Sequence, residues 1–176
     1  MWTVESVPHF YSLGMAYDLS ELLVVAISSS ALFDARKEHA IYESKPLEEY
    51  VQYQIDHEKE PLAPGTAMPL IHAMLRLNDL KPGQRLVEVV VLSHMEPEAG
   101  LRIMNTITHH KLDITRAAFT GGEPVSLYLS AFNVMLFLSK NETDVREAIE
   151  QGIAAGLLYD PPEHVETPCA KSNCYP

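Results

Sequence analysis

The sequence predicts an α/β protein built on a parallel β-sheet that carries helices on its faces. Two apolar runs, residues 22–27 and 86–92, have the length of strands and are nearly unbroken, which is typical of strands buried on both faces. Segments with helical spacing of apolar residues separate such runs, and this alternation indicates βαβ crossover connections. The chain has 176 residues, of which 47% are apolar and 21% charged, as in a single globular domain.

The first predicted strand, residues 22–27, ends in three consecutive serines. A helix is predicted over residues 46–55, because Pro46 suits a first helical turn and the apolar residues that follow recur at helical spacing. A proline-rich stretch then breaks the pattern. Thr66 is the predicted cap of the next helix, over residues 68–77.

The second half of the chain continues the alternation. Its predicted elements are a strand over residues 86–92, a helix over 97–108, a strand over 114–119, a helix over 125–132, a strand over 134–138 and a helix over 142–155. Asn141 or Thr143 is predicted to cap the last of these helices. The predicted sheet therefore has four strands, and helices connect them.

Three segments differ in composition and pattern. Residues 1–20 form a predicted lead-in, and residues 21–158 form the predicted α/β domain. Residues 159–176 contain a Pro-Pro pair and scattered polar residues without periodicity, so we expect a disordered tail there.

Charge and cysteine content exclude several classes of protein. The 13 basic and 24 acidic side chains give a net charge of −11, which repels phosphate backbones and argues against binding to nucleic acids or anionic membranes. No apolar run approaches the roughly 18–20 residues that span a bilayer. The first residues lack the basic character of a secretory signal, and Cys169 and Cys174 both lie near the C-terminus. We therefore expect a reduced, cytoplasmic protein without a disulfide framework.

Small hydroxyl residues and glycines follow every predicted strand. Ligands of open parallel sheets bind at the carboxyl ends of the strands, where hydroxyls and free backbone N–H groups suit an anion, particularly phosphate. The alternative is that these residues only form loops and caps. The candidate residues for binding phosphate or a nucleotide are Ser28, Ser29, Ser30, Ser93, Thr120, Gly121 and Gly122, and Ser139 follows the fourth strand in the same way.

Other motifs favour structural roles. The run from His57 to Pro61 begins like a zinc-binding helix, but a proline stands where the second histidine belongs, so a solvated helix end is the stronger interpretation. His109 and His110 suit the end of a helix, where a histidine favours the negative end of the dipole. No set of metal ligands emerges from the sequence.

Five segments stand in an order that identifies a family. They are residues 26–34 (AISSSALFD), 53–62 (YQIDHEKEPL), 64–67 (PGTA), 112–122 (LDITRAAFTGG) and 152–155 (GIAA). Together they resemble the cytosolic 5′-nucleotidases of type I and their bacterial relatives, over about residues 15–158.

The resemblance implies a haloacid-dehalogenase-like, Rossmann-like three-layer fold. It also implies hydrolysis of nucleoside 5′-monophosphates such as AMP, with Mg²⁺ as cofactor. Enzymes of this kind use an Asp-x-Asp motif at the end of the first strand, in which one carboxylate forms an aspartyl-phosphate and the other is the general acid and base. Mg²⁺ neutralises the charge on the phosphate.

The sequence departs from that chemistry at the end of its first strand. Ser28, Ser29 and Ser30 stand there, and no predicted strand end carries Asp-x-Asp. A serine hydroxyl is not ionised at neutral pH and cannot replace a carboxylate that binds Mg²⁺. Asp34, the nearest carboxylate, lies beyond the strand end. The resemblance implies that the motif belongs to a second half of full-length members, and that this chain corresponds to the first half, a degenerate copy.

Three hypotheses follow for the function. The chain supplies the non-catalytic, nucleotide-binding half of a 5′-nucleotidase, or it is a regulatory or interaction module that self-associates or pairs with a catalytic half, or it is an inactive truncated fragment. No catalytic residue is assigned by the sequence, and the implied Mg²⁺ has no ligands in it.

Overall fold

The computed structural model describes residues 18–161. The first 17 residues of the predicted lead-in, the predicted tail from residue 162 onward and both cysteines lie outside the described residues.

Five parallel strands form the central sheet. The strands of the described chain are β1 (Leu23–Ser28), β2 (Phe33–Asp34), β3 (Ala63–Pro64), β4 (Val87–Ser93), β5 (Arg116–Phe119), β6 (Leu136–Ser139) and β7 (Ala154–Leu157). The order across the sheet is β5-β4-β1-β6-β7, and β2 and β3 form a separate antiparallel pair. The predicted parallel α/β architecture is confirmed, and the central sheet has five strands where the sequence predicts four.

Helices connect the strands and cover both faces of the sheet. They are α1 (Ser29–Leu32), α2 (Arg36–Ser44), α3 (Leu47–Asp56), α4 (Met68–Leu75), α5 (Pro97–His109), α6 (Ser126–Leu129) and α7 (Glu142–Glu150), with 3₁₀ turns at Leu19–Glu21 and Arg76–Leu80. None of the helices between residues 18 and 161 combines the length and the apolar character that crossing a bilayer requires.

Strand β1 lies at the centre of the sheet because both of its faces are apolar. Its odd-numbered residues Val25 and Ile27 pack with α4 and α5 on one face, and the even-numbered Val24 and Ala26 pack with α6 and α7 on the other. Each of these four side chains is fully buried. Burial of a valine or isoleucine side chain contributes about 1.5–3 kcal/mol, so the central strand anchors both core layers.

The prediction for the last helix is correct for its first part and wrong for its end. Residues 142–155 were expected to be one helix, but α7 ends at Glu150 and β7 follows. Gly152 adopts a φ of +79°, which turns the chain out of the helix. Its successors then pair with β6, where Ala155 lies opposite Phe137. Asn141, one of the two predicted caps, accepts hydrogen bonds from the N–H groups that begin α7.

The predicted capping role of Thr66 is also wrong. Ala67 precedes α4, and no side chain caps this helix. The Thr66 hydroxyl instead donates a 2.8 Å hydrogen bond to Asp160, which lies 94 positions away in the sequence. The predicted cap fails because α4 begins at Met68, which puts Ala67 and not Thr66 at the capping position.

Candidate functional site

The strand order creates a topological switch point at the carboxyl edge of the sheet. From β1 the chain runs outward through β4 to β5, and it then returns to β6 and β7 on the other side of β1. The direction of winding therefore reverses between β1 and β6. In open α/β sheets this switch point, at the carboxyl ends of the strands, is where ligands bind. Ser28 and Ser139 end the two strands that border it.

Four of the predicted site residues come together at the ends of β1 and β4. The Ser29 and Ser93 hydroxyl oxygens are 2.9 Å apart, and those of Ser28 and Ser30 are 3.4 Å apart. Ser28 also caps α1, because its hydroxyl oxygen accepts a 3.3 Å hydrogen bond from the Ala31 N–H. The segment of residues 28–30 thus both caps α1 and brings its hydroxyls close to that of Ser93, at the end of the central strand.

The segment Thr120–Gly122 connects β5 to the loop after β4. The three N–H groups of this segment donate hydrogen bonds of 3.0, 3.1 and 2.8 Å to the carbonyl oxygens of Ser93, Met95 and His94, in that order. Gly121 and Gly122 have φ values of +58° and +88°. These N–H groups are engaged within the protein, so the placement of this segment in a phosphate site stays a prediction.

A histidine–aspartate pair lies beside the serines and was missed by sequence reasoning. His94 directly follows β4, and its Nε2 is 2.9 Å from Asp144 Oδ1 on α7. Asp144 is 4% exposed, and the buried Ser139 hydroxyl lies 3.5 Å from its other oxygen. The pair joins the loop after β4 to the helix after β6 and therefore bridges the two strands that flank β1. A histidine directly after a buried strand was the only local signal for it.

Two ion pairs, one just after α1 and one between the segments that follow β6 and β7, lie near each other. Hydrogen bonds from Arg36, at 2.9 and 2.6 Å, hold the pKa of the Asp34 carboxyl below its ordinary value. Lys140 Nζ lies 2.5 Å from Asp160 Oδ1, and this hydrogen bond lowers the pKa of Asp160. Asp34, the nearest carboxylate to the end of β1, is thus already paired with a guanidinium.

The His57–Pro61 segment has a structural role in the fold. Its carbonyl oxygens accept hydrogen bonds from α5 side chains, with Asn105 donating to Glu58 at 2.9 Å and the Arg102 Nε–H donating to Glu60 at 3.0 Å. His110, just after α5, contacts the carbonyl oxygen of the neighbouring Leu62 at 2.8 Å. Hydrogen bonds from α5 therefore hold the His57–Pro61 segment against that helix.

The residues at the sheet edge do not fit Mg²⁺, the cofactor that the resemblance implies. Mg²⁺ requires oxygen ligands with near-octahedral geometry and is usually bound through one or two carboxylates. Here the candidate carboxylates Asp34, Asp144 and Asp160 each contact a basic side chain. Between residues 18 and 161 no group of three or more His, Cys, Asp or Glu side chains is arranged to hold a metal ion.

Comparison with known proteins gives two findings. The family model described as 5′-nucleotidase matches residues 15–171, which extends beyond the limit of residue 158 expected from the sequence. Cytosolic 5′-nucleotidase 1B of Homo sapiens is 34% identical over 143 residues, which cover 78% of this chain and 23% of the human protein. The chain thus spans about a quarter of the length of that relative.

Sequence match and architecture agree. The five-stranded parallel sheet with helices on both faces is the Rossmann-like, haloacid-dehalogenase-type fold that the resemblance implies. The serine-rich strand end and the His57–Pro61 segment both lie within the matched range of residues. The family model matches most of the chain, and the fold agrees with it. The chain therefore belongs to the 5′-nucleotidase family.

Proposed function

We propose that this chain is a nucleotide- and phosphate-binding part of a 5′-nucleotidase that does not itself carry out hydrolysis. The observation that carries the proposal is the end of β1. Three serines stand there, and the Ser29 hydroxyl meets the Ser93 hydroxyl of β4 at 2.9 Å. Hydroxyls can hydrogen-bond a phosphate oxygen, and their position at the carboxyl edge of the sheet is that of a ligand site.

Hydrolysis through an aspartyl-phosphate requires a carboxylate nucleophile, and serines stand at the end of β1 in its place. An aspartyl-phosphate mechanism requires an ionised carboxylate in line with the phosphorus atom, and the un-ionised hydroxyl of Ser28 or Ser30 is a poor substitute. His94 Nε2 is 2.9 Å from Asp144 Oδ1, which leaves Nδ1 to accept a proton, but a base alone does not supply the carboxylate nucleophile. Catalysis and Mg²⁺ binding therefore require carboxylates from outside residues 18–161, supplied by a catalytic half that pairs with this one.

The ligand we propose is a nucleoside 5′-monophosphate such as AMP. Its phosphate would be held by Ser28, Ser29, Ser30 and Ser93, with the Thr120–Gly122 turn at the rim of the site. The human relative is named as cytosolic, and we propose the same compartment for this chain.

Calorimetry with AMP and a phosphate-release assay on the same sample test the proposal. We expect AMP to bind and no phosphate to be released, with or without Mg²⁺. Ser93→Ala should weaken AMP binding about fivefold, because loss of one hydrogen-bonding hydroxyl costs about 1 kcal/mol. Ser44→Ala is the matched control, since the Ser44 hydroxyl is exposed on α2 and donates to the Ala40 carbonyl oxygen.

Two results would contradict the proposal. Phosphate release that a chelator abolishes would show that carboxylates of this chain catalyse hydrolysis, and Asp34→Asn would identify the first candidate. Absence of AMP binding by a sample that unfolds cooperatively would show that the serine cluster has only a structural role.

A further inference from the structure

One oxygen atom of Asp160 is held between two donors that come from distant parts of the chain. Its Oδ1 accepts a 2.8 Å hydrogen bond from the Thr66 hydroxyl and lies 2.5 Å from Lys140 Nζ. An ammonium and a hydroxyl that converge on one anionic oxygen form the arrangement that binds an oxygen of a phosphate group.

Each of the three residues is positioned by an element at the carboxyl edge of the sheet. Lys140 directly follows β6. Thr66 is fixed against α1, because its neighbours Gly65 and Ala67 donate backbone hydrogen bonds of 2.9 and 3.0 Å to carbonyl oxygens of residues 32 and 31. Asp160 follows β7, whose pairing continues through a 2.9 Å hydrogen bond from the Leu158 N–H to the Ser139 carbonyl oxygen.

This contact therefore lies at the switch point between β1 and β6, beside the serine-rich end of β1. The Lys140 side chain is 20% exposed and that of Asp160 44% exposed, so solutes can reach both. The Asp34–Arg36 ion pair is close enough to influence the Lys140–Asp160 pair. Arg36 contributes to the lowered pKa of Asp160, and Lys140 contributes to that of Asp34. A dianionic group arriving here would meet two cations, each already neutralised by an aspartate.

We infer that Lys140 and Thr66 are ligands for the phosphate group of the bound nucleotide and that Asp160 occupies their site as an internal counter-ion when no nucleotide is bound. The inference rests on the proposed function and extends the serine site across the switch point to the end of β6. Binding would exchange one anionic oxygen for another, and the Asp160 carboxylate would turn toward solvent. The apparent affinity for phosphate is then set by competition within the chain.

Competition of this kind has a consequence that an ordinary surface ion pair lacks. Removing the charge of Asp160 should strengthen the binding of an anion, whereas removing that of Lys140 should weaken it. Asp160→Asn retains the size of the side chain and removes its charge. We expect it to bind AMP and inorganic phosphate about tenfold more tightly than the natural chain, and Lys140→Gln to bind them about tenfold more weakly, as is typical of a charge-assisted hydrogen bond.

Calorimetric titration of the full chain with inorganic phosphate and with AMP tests these expectations. The double variant Asp160→Asn, Lys140→Gln should not show the higher affinity of Asp160→Asn alone, because the higher affinity depends on the ammonium group of Lys140. Arg146→Gln is the matched control, since Arg146 forms an exposed ion pair with Glu142 on α7, at 3.1 Å. Thermal unfolding of each variant shows whether the fold is retained.

The outcomes separate this inference from the proposed function. If the natural chain binds AMP and Asp160→Asn gives no gain, or if Lys140→Gln leaves binding unchanged, the inference is overturned while the proposed function stands. If Asp160→Asn binds and the natural chain does not, the internal counter-ion is supported. If neither binds either probe, both proposals fail.

Discussion

The hydroxyl oxygens of Ser29 and Ser93 lie 2.9 Å apart, although 64 positions separate the two residues in the sequence. Strand register explains the contact. Strands β1 and β4 are parallel neighbours in which Ser28 lies opposite Leu92, so Ser29, the residue after β1, comes next to Ser93, the last residue of β4. Ser93 is 4% exposed, and in the chain without ligand its hydroxyl finds its hydrogen-bond partners in Ser29 and the Met95 N–H. The candidate site thus starts from a pair that the sheet itself aligns.

The pair predicts a measurable coupling in stability. Ser29→Ala and Ser93→Ala should each lower the free energy of unfolding by about 1 kcal/mol, and the double variant should lose less than the sum, because both changes remove the same hydrogen bond. Urea denaturation of the four proteins gives the coupling energy. Strict additivity would show that the two hydroxyls do not interact in solution.

Gly65 is predicted to be intolerant of any side chain. A Cβ atom there would lie 2.7 Å from the Ala31 carbonyl oxygen and 2.8 Å from backbone carbon atoms of residues 32 and 33. Since backbone cannot move aside as a flexible side chain can, Gly65→Ala should cost about 3 kcal/mol and displace Thr66. Gly83→Ala is the control, because it has open space but a φ of +86° and should cost about 1 kcal/mol. Chemical denaturation that ranks the two in the opposite order would contradict the predicted clash.

Arg102 is predicted to be the residue that holds the helices α2, α3 and α5 together. It is 4% exposed, and its Nη1 donates 3.0 Å hydrogen bonds to Glu38 on α2 and Gln54 on α3. Arg102→Met would leave the buried Glu38 carboxylate without its cation, so we expect a loss of about 3–5 kcal/mol in the free energy of unfolding.

Two further variants check the reason for that loss. Combining Arg102→Met with Glu38→Gln should recover part of the stability, because the uncompensated charge is removed. Arg146→Met, at the exposed pair with Glu142, should cost less than about 0.5 kcal/mol. Equal losses for Arg102→Met and Arg146→Met in urea denaturation would show that burial of the first pair is unimportant.

The sequence predicts those parts of the fold that local pattern encodes. Apolar runs of strand length predict β1 and β4, and the position of serines after strands predicts which hydroxyls share one edge of the sheet. Helix α2 escapes prediction because its one buried residue is the charged Glu38, whose partner Arg102 lies on α5. Likewise, the Asp160 contact with Thr66 and Lys140 joins segments that only the folded chain brings together. Long-range polar partners are therefore what sequence reasoning misses here.

The Asp34–Arg36 ion pair predicts how stability changes in acid. Hydrogen bonds from Arg36 hold the pKa of Asp34 below its ordinary value in the folded protein, whereas the same carboxyl in the unfolded chain titrates at about 3.9. Because the folded pKa is the lower one, the stabilisation is fully present above the unfolded pKa and is lost as the pH falls through the folded pKa. The Arg36 side chain is 70% exposed, so the pair should contribute less than about 1 kcal/mol.

Comparison of the natural chain with Arg36→Gln and Asp34→Asn measures this contribution. The difference in melting temperature between the natural chain and Arg36→Gln should be constant above the unfolded pKa of about 3.9 and should shrink as the pH falls through the pKa values of Asp34 in the two folded proteins. In an NMR titration, the pKa of Asp34 should rise in Arg36→Gln but should stay below that of the unfolded chain, because Lys140 also lowers it. In the Asp34→Asn background, Arg36→Gln should change stability by the same amount at every pH. A difference between the natural chain and Arg36→Gln that persists unchanged below the pKa of Asp34 measured by NMR in the natural chain would show that Arg36 acts through contacts other than the Asp34 carboxylate.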